Sequence, residues 1–262
     1  NTPRQINMLK ALNAPIPRYG HVPMILGSDG KRLYKRHGAV SVLQFRDEGY
    51  LPDALLNYLV RLGWSHGDQE VFSREEMVQF FDIKDVHSAA AAFDPQKLLW
   101  LNQHYLKAAD PGRITDAMTA QLRRLGVNDV SVVDLRALVL ARRERVKTVN
   151  EMAEMGLVLF RDPDSYDMKA AGKHLDAVRQ PALVQLQRRL VDLPAWTVEA
   201  IHTTIDETAI AHGLDFGKLA QPLRILLTGR TVSPPIDATL TILGRETTLR
   251  RFEAGLKRFF SL

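Results

Sequence analysis

The sequence predicts a mainly α protein: a short α/β segment at the start, then a body built of helices alone. Three observations carry this. Apolar residues recur at helical spacing behind recognisable caps along nearly the whole chain. Strand-like alternation is absent beyond Gly112. The one apolar run that reads as a buried strand, Val22 to Leu26, feeds a glycine-bounded loop, Gly27 to Gly38. With 262 residues, 45% of them hydrophobic, the chain can build one large or two modest domains around a real core. No apolar run approaches the roughly 20 residues of a membrane span, and no apolar signal segment opens the sequence. Zero cysteines exclude disulfides and cysteine-based zinc sites. The eight histidines fall into no HExxH-like spacing, so no metal is expected to be held by this chain.

Taken in order, Thr2-Pro3 opens a helix that presents Ile6, Leu9 and Leu12, and Pro15 and Pro17 end it. The strand and loop follow, then a helix over roughly 41–48 opened by Ser41. Pro52 starts another, with Leu55, Leu56, Leu59, Val60 and Leu62 toward a core and Gly63 as its stop. Ser73-Arg74-Glu75-Glu76 is a capping box. Asp94-Pro95 opens a helix carrying Leu98, Leu99, Trp100 and Leu101, and Trp100, like Tyr105, reads as a packing residue. Lys107 to Gly112 is the best boundary signal. Beyond it helices are predicted over about 113–125, 131–143, 147–155, 167–190, 197–212, 215–227, 236–243 and 246–260, with a seam at Asp162-Pro163-Asp164.

The glycine-bounded loop is the chemically loaded stretch. Lys31, Arg32, Lys35 and Arg36 place four cations within six residues. Free-bending glycines with clustered cations can close over phosphates; a solvated basic turn has the same composition. The net charge of +5 is modest. Residues 113–147 hold eight Lys and Arg against four acids, and Arg136, Arg142, Arg143, Arg145 and Lys147 recur so that several share a helix face. Such a face can follow a phosphate backbone or read single-stranded bases, or can be an ordinary solvated face.

The stretch Asp29 to Ser73 resembles bacterial glutamyl-tRNA synthetases just after their nucleotide-binding domain, and the likeness continues through FDPQKLLWL (Phe93 to Leu101), QPLRILLTGR and SPP. The family's KMSKS-type signature, usually KLSKR, maps onto Arg32, Leu33, Tyr34, Lys35 and Arg36. The resemblance implies that Lys35 contacts ATP phosphate, with Arg32 in place of the family's first lysine. Tyr34 departs from the family's small serine and sets its hydroxyl further out on a bulky ring. The resemblance further implies anticodon contacts by Arg224, Ser233, Pro234 and Arg145.

The domains implied are residues 1–38 as the end of the class I catalytic domain with its signature loop, 39–111 as helical stem-contact region, and 112–262 as an all-helical anticodon-binding domain, with a subdivision near 162. A HIGH-type motif is absent and only 31 residues precede Arg32, so the chain is expected to be the C-terminal part of a synthetase that does not aminoacylate alone. The whole enzyme would use ATP and Mg²⁺, take glutamate and tRNA(Glu), and act in the cytoplasm as a monomer, with no membrane or DNA partner. Three alternatives stand beside it. A glutaminyl-tRNA synthetase reads the anticodon with β-barrels, a truncated glutamyl-queuosine enzyme lacks an anticodon domain, and a stand-alone helical RNA-binding module has no catalysis.

Overall fold

Polar caps and prolines set where the helices begin. The structure, a computed structural model, describes residues 1–27, 29–33 and 41–260. They divide into two units: Asn1–Arg46 with Tyr50–Asn102, and Asp47–Gly49 with Gln103–Leu262.

In the first unit, α1 (Thr2–Ala11) carries Pro3 in its first turn and buries none of its residues. β1 is only Ile25–Leu26 and pairs in parallel with β2, Ala91–Ala92. The strand predicted over Val22 to Leu26 is thus shortened, since Val22 and Met24 are exposed. Its partner is two alanines, which carry no alternation to read. Ser41 starts α2 (Val42–Asp47), its Oγ accepting from the Leu43 N–H at 3.2 Å.

α3 (Pro52–Arg61) buries Ala54, Leu55, Asn57 and Tyr58. Leu56 and Leu59, expected in the core, are exposed: the apolar stripe of this helix is wider than the surface that covers it, and Leu59 lines an apolar groove with Ile25, Leu33 and Phe45. Both bonds of the predicted capping box form at α4 (Arg74–Phe80). Met77 of that helix packs with Trp64 and Phe72. α5 (Pro95–Ala108) is capped by Asp94, whose Oδ1 accepts from Gln96 and Lys97. The Asp94 N–H in turn donates to the buried Tyr58 hydroxyl at 2.6 Å. Trp100, read as a packing residue, is 51% exposed.

The second unit is helical throughout its described residues. α6 (Pro111–Arg124), α7 (Leu135–Arg142) and α8 (Val149–Phe160) pack together over Ile114, Met118, Leu122, Leu138 and Met152. α9 (Met168–His174), α10 (Gln180–Val191), α11 (Val198–Ala211), α12 (Phe216–Thr228), α13 (Ile236–Leu243) and α14 (Arg245–Phe260) follow. The last five share a core that includes Leu183, Ile205, Leu223, Leu240 and Phe252. The single helix predicted over 167–190 is two, because Asp176 accepts from the Arg179 N–H at 2.9 Å and Pro181 starts a fresh first turn. Leu175 and Val178 continue the apolar pattern across the break and disguise it. α6 begins at Pro111, capped by Asp110, two residues before the predicted start.

One buried side chain ties the two groups of helices together. Arg251 on α14, 4% exposed, donates to the carbonyls of Val158 and Leu159 at the end of α8 and of Leu227 at the end of α12. Its Nε reaches Asp162 at 2.9 Å, and Arg250 pairs with the same carboxylate. Terminal helix carbonyls have no partner within their helix, and a buried guanidinium is stable only when its donors are used. Each need meets the other here. The Arg250 hydrogen bond, then the two arginine charges, hold the Asp162 carboxyl below the ordinary carboxylate range. α12 itself ends on Gly229 at φ +70°, where a Cβ would lie 2.3 Å from the Ser165 carbonyl. The Gly229 carbonyl accepts from the Asp167 N–H at 2.9 Å.

Two outcomes are expected. Arg251→Met should lower stability by about 3 kcal/mol and Gly229→Ala by about 1–3 kcal/mol, both read as falls in the urea midpoint at unchanged m. Because the folded pKa of Asp162 is depressed, its contribution is present above the unfolded value of about 3.9 and lost as pH falls through the folded one. Asp162→Asn should therefore flatten the fall of melting temperature with acid below about pH 4.

Candidate nucleic-acid interface

The described part of the signature loop is a tight turn. The Gly27 N–H donates to the Lys31 carbonyl at 2.7 Å and the Gly30 N–H to the Gly27 carbonyl at 3.0 Å. Asp29 Oδ1 accepts from the Lys31 N–H at 3.0 Å. Arg32 then bridges antiparallel to Leu26, and the Leu33 N–H donates to the Ile25 carbonyl at 2.9 Å. Lys31 and Arg32 are exposed at the exit of this turn, and Leu33 is half-buried. Tyr34, Lys35, Arg36, His37 and Gly38 lie outside the described residues. No group of three or more His, Asp or Glu able to hold a metal occurs among the described residues.

In the second unit, the segment after α12 is laced to that helix. Arg224 is half-buried, with Nε donating to Ser233 Oγ at 2.9 Å and Nη1 to Gln221 Oε1 at 2.6 Å. Ser233 Oγ donates to the Pro234 carbonyl at 2.8 Å and lies 3.0 Å from Thr239 Oγ1. Gln221 Nε2 donates to the Thr231 carbonyl at 3.1 Å. Burial holds the Arg224 pKa below the usual guanidinium value, and the nearby Asp237 carboxylate opposes the shift. Ser233 and Pro234 are buried, so these two residues set the shape of the segment, while Arg230, Val232 and Pro235 form its exposed surface.

α7 packs on α13, which begins where this segment ends. The exposed Arg145 and the half-buried Arg224 both act on the charge of Arg142. Arg224, Ser233 and Pro234, from α12 and its exit, are hydrogen-bonded into one cluster, while Arg145, in the turn after α7, is linked to it only through the charge of Arg142. The shared helix face predicted for Arg136 to Lys147 is corrected. α7 ends at Arg142, so Arg143, Arg145 and Lys147 follow in the turn. Arg142 itself is turned inward and 3% exposed. Its burial, and the linking roles of Gln221 and Thr239, left no signal in the sequence, because each depends on helices brought together from elsewhere.

The second unit thus sets arginines beside a loop pinned to α12, and comparison with known proteins is specific. Residues 102–256 match the family described as anticodon binding domain, and residues 1–100 match tRNA synthetases class I (E and Q), catalytic domain. The chain belongs to the glutamate–tRNA ligase family of class I synthetases. It is 58% identical to glutamate–tRNA ligase 2 of Coxiella burnetii (strain Dugway 5J108-111) over 98% of this chain and 55% of that one. It is 52% identical to glutamate–tRNA ligase 1 of Alkalilimnicola ehrlichii, over 98% and 54%. The chain therefore spans about half the length of the curated relatives it matches. Among solved structures, a glutamate tRNA ligase from Elizabethkingia meningosepticum, in complex with its amino acid, superposes with a TM-score of 0.79 at 28% identity, covering 98% of this chain and 54% of that one.

Ser233→Ala removes the acceptor of Arg224 Nε. It should cost about 1 kcal/mol in urea unfolding, and Thr239→Val, which leaves that bond in place, should cost less.

Proposed function

We propose that this chain serves as the signature-loop and anticodon-binding part of a glutamate–tRNA ligase, an enzyme that activates glutamate with ATP and transfers it to tRNA(Glu). Residues 1–38 would close the ATP site, 39–111 would contact the tRNA stem, and 112–262 would hold the anticodon. The observation that carries the reading is the convergence of Arg145, Arg224, Ser233 and Pro234 within one unit, in a chain matched over 98% of its length to glutamate–tRNA ligases. Among the described residues of that unit no strand occurs, which disfavours a β-barrel reader of the glutaminyl type. The catalytic-domain match over residues 1–100 disfavours a stand-alone RNA module.

In the reaction, a glutamate carboxylate oxygen attacks the α-phosphorus of ATP in line and pyrophosphate leaves. A lysine ammonium at Lys35 would neutralise the charge building on the phosphates, and Arg32, at the exit of its turn, would add a second cation to the same loop. Arg36 would extend that positive rim. Magnesium, supplied to the whole enzyme, shields phosphate charge; no ligand for it is assigned to this chain. Arg224, held by Gln221 and Ser233, would present a preset guanidinium to an unstacked anticodon base, and Arg145 would approach from the other side. No helix among the described residues is long and apolar enough to cross a membrane; on this reading the whole enzyme would work in the cytoplasm as a monomer.

The test is binding of the purified chain to glutamate tRNA beside a transcript with an exchanged anticodon. Preference for the native anticodon by about tenfold or more, lost in Arg224→Ala, is the expected result; equal binding of both transcripts would remove the anticodon-reading role. In the full-length enzyme, Lys35→Ala should depress adenylate formation, followed by pyrophosphate exchange, far more than tRNA binding. Equal loss in both assays would take Lys35 out of the phosphate role.

A further inference from the structure

Among the described residues of the second unit, Arg142 is a buried cation with two donors that its surroundings leave unanswered. It is 3% exposed, and neither Nε nor Nη2 finds a hydrogen-bond partner among the described residues. Those two nitrogens form one edge of the guanidinium, the side-on fork that matches a pair of adjacent oxygen acceptors. The acid next along the chain, Glu144, is turned to Lys107 and Arg143, each at 3.9 Å. The charges that act on Arg142 are those of Arg145 and Arg224, both of its own sign. Burial first, then these two charges, holds its pKa below the usual guanidinium value.

Arg142 lines a cleft of about 280 Å³ with Glu154, Met155, Val158, Asp167, Arg230, Thr231 and Val232. Of the two carboxylates, Asp167 is used as the cap of α9, accepting from the Ala170 N–H at 2.9 Å, and Glu154 is exposed. Neither bonds to Arg142. An unpaired buried cation is unfavourable unless something else completes it, and an anion with two acceptor atoms would do so.

We propose that this cleft seats one phosphodiester of the bound RNA, with the Arg142 guanidinium swinging out of its enclosed position so that Nε and Nη2 meet two phosphate oxygens. The proposal rests on reading the second unit as a tRNA-binding domain, and adds to it a backbone anchor at Arg142. A neutral base edge could accept the same fork but would gain little from charge, whereas a phosphate gains from Arg142 and from Arg230 on the cleft wall, against the opposing carboxylates of Glu154 and Asp167. The anchor sets the register of the strand, so that neighbouring bases meet Arg224 in one position.

The experiment measures binding of the chain, as wild type, Arg142→Met and Arg142→Lys, to a 17-nucleotide anticodon stem-loop of glutamate tRNA. Single methylphosphonates are placed in turn at each loop linkage, and affinities are read at several salt concentrations. The wild type should lose about tenfold at one linkage. Arg142→Met should bind the unmodified loop about tenfold more weakly, lose nothing further at that linkage, and show a salt slope shallower by about 0.7 to 0.9. Arg142→Lys should fall between them, keeping charge without the fork.

Removing an unanswered buried charge should also raise the melting temperature of Arg142→Met by on the order of 2 to 4 °C. Melting temperatures lowered in both variants would make Arg142 a structural residue and overturn the proposal. So would wild-type affinity in Arg142→Met, or a loss that follows the identity of one base and no linkage. A wild type that binds no stem-loop at all refutes the anticodon-domain reading itself, an outcome distinct from failure at Arg142 alone.

Discussion

The guanidinium of Arg251 is the contact on which the second unit depends. Three helix-end carbonyls from α8 and α12 converge on it, and Asp162 closes the remaining edge. None of these groups has an equivalent partner within its own helix. Apolar packing can bring α8, α12 and α14 together in many rotations; a planar fork with fixed donor directions accepts very few of them. The end of α12 is thereby fixed, and with it the direction in which the chain leaves at Gly229. The left-handed turn there, pressed against the Ser165 carbonyl, passes that orientation on to the segment holding Ser233 and Pro234.

Three buried or half-buried arginines lie along this line, and the difference between them is physical. Arg251 is fully engaged and acts as a fastener. Arg224 is partly engaged: Ser233 and Gln221 take Nε and Nη1, which orients the side chain without using every donor. Arg142 has two donors unanswered. Burying charge without pairing it costs stability, so under the proposed reading the unanswered donors of Arg142 are where a bound anion would contribute most.

Much of this architecture was legible in the sequence, and the parts that were not share a cause. Caps are local, so Ser73-Glu76, Asp94-Pro95 and the helical body could be read from neighbours a few residues apart. The break between α9 and α10 was missed because Leu175 and Val178 kept the apolar period going through it. β2 was missed because two alanines carry no pattern at all. Arg224, Ser233 and Pro234 could be nominated because they fall in one short stretch resembling a known family, while their mutual hydrogen bonds could not be read from it. Arg142 read as one cation of an exposed helix face, either RNA-following or merely solvated; its burial goes with α7 ending there and packing on α13, a contact between segments about a hundred residues apart in the chain. Leu56 and Leu59 show the converse, since an apolar stripe predicts a buried face without saying how much of it is covered.

The central claim is that the turn after α7 and the segment after α12 together form the RNA-reading face, held in shape before RNA arrives. Amide hydrogen exchange of the chain, with and without saturating glutamate tRNA, tests this most directly. The account predicts added protection concentrated at residues 142–147 and 229–235, with the amides of α12 and α14 around Arg224 and Arg251 already slow in the free protein and little changed. Protection appearing instead along α10 and α11, or a free protein in which α12 and α14 exchange rapidly and order only with tRNA, would contradict it.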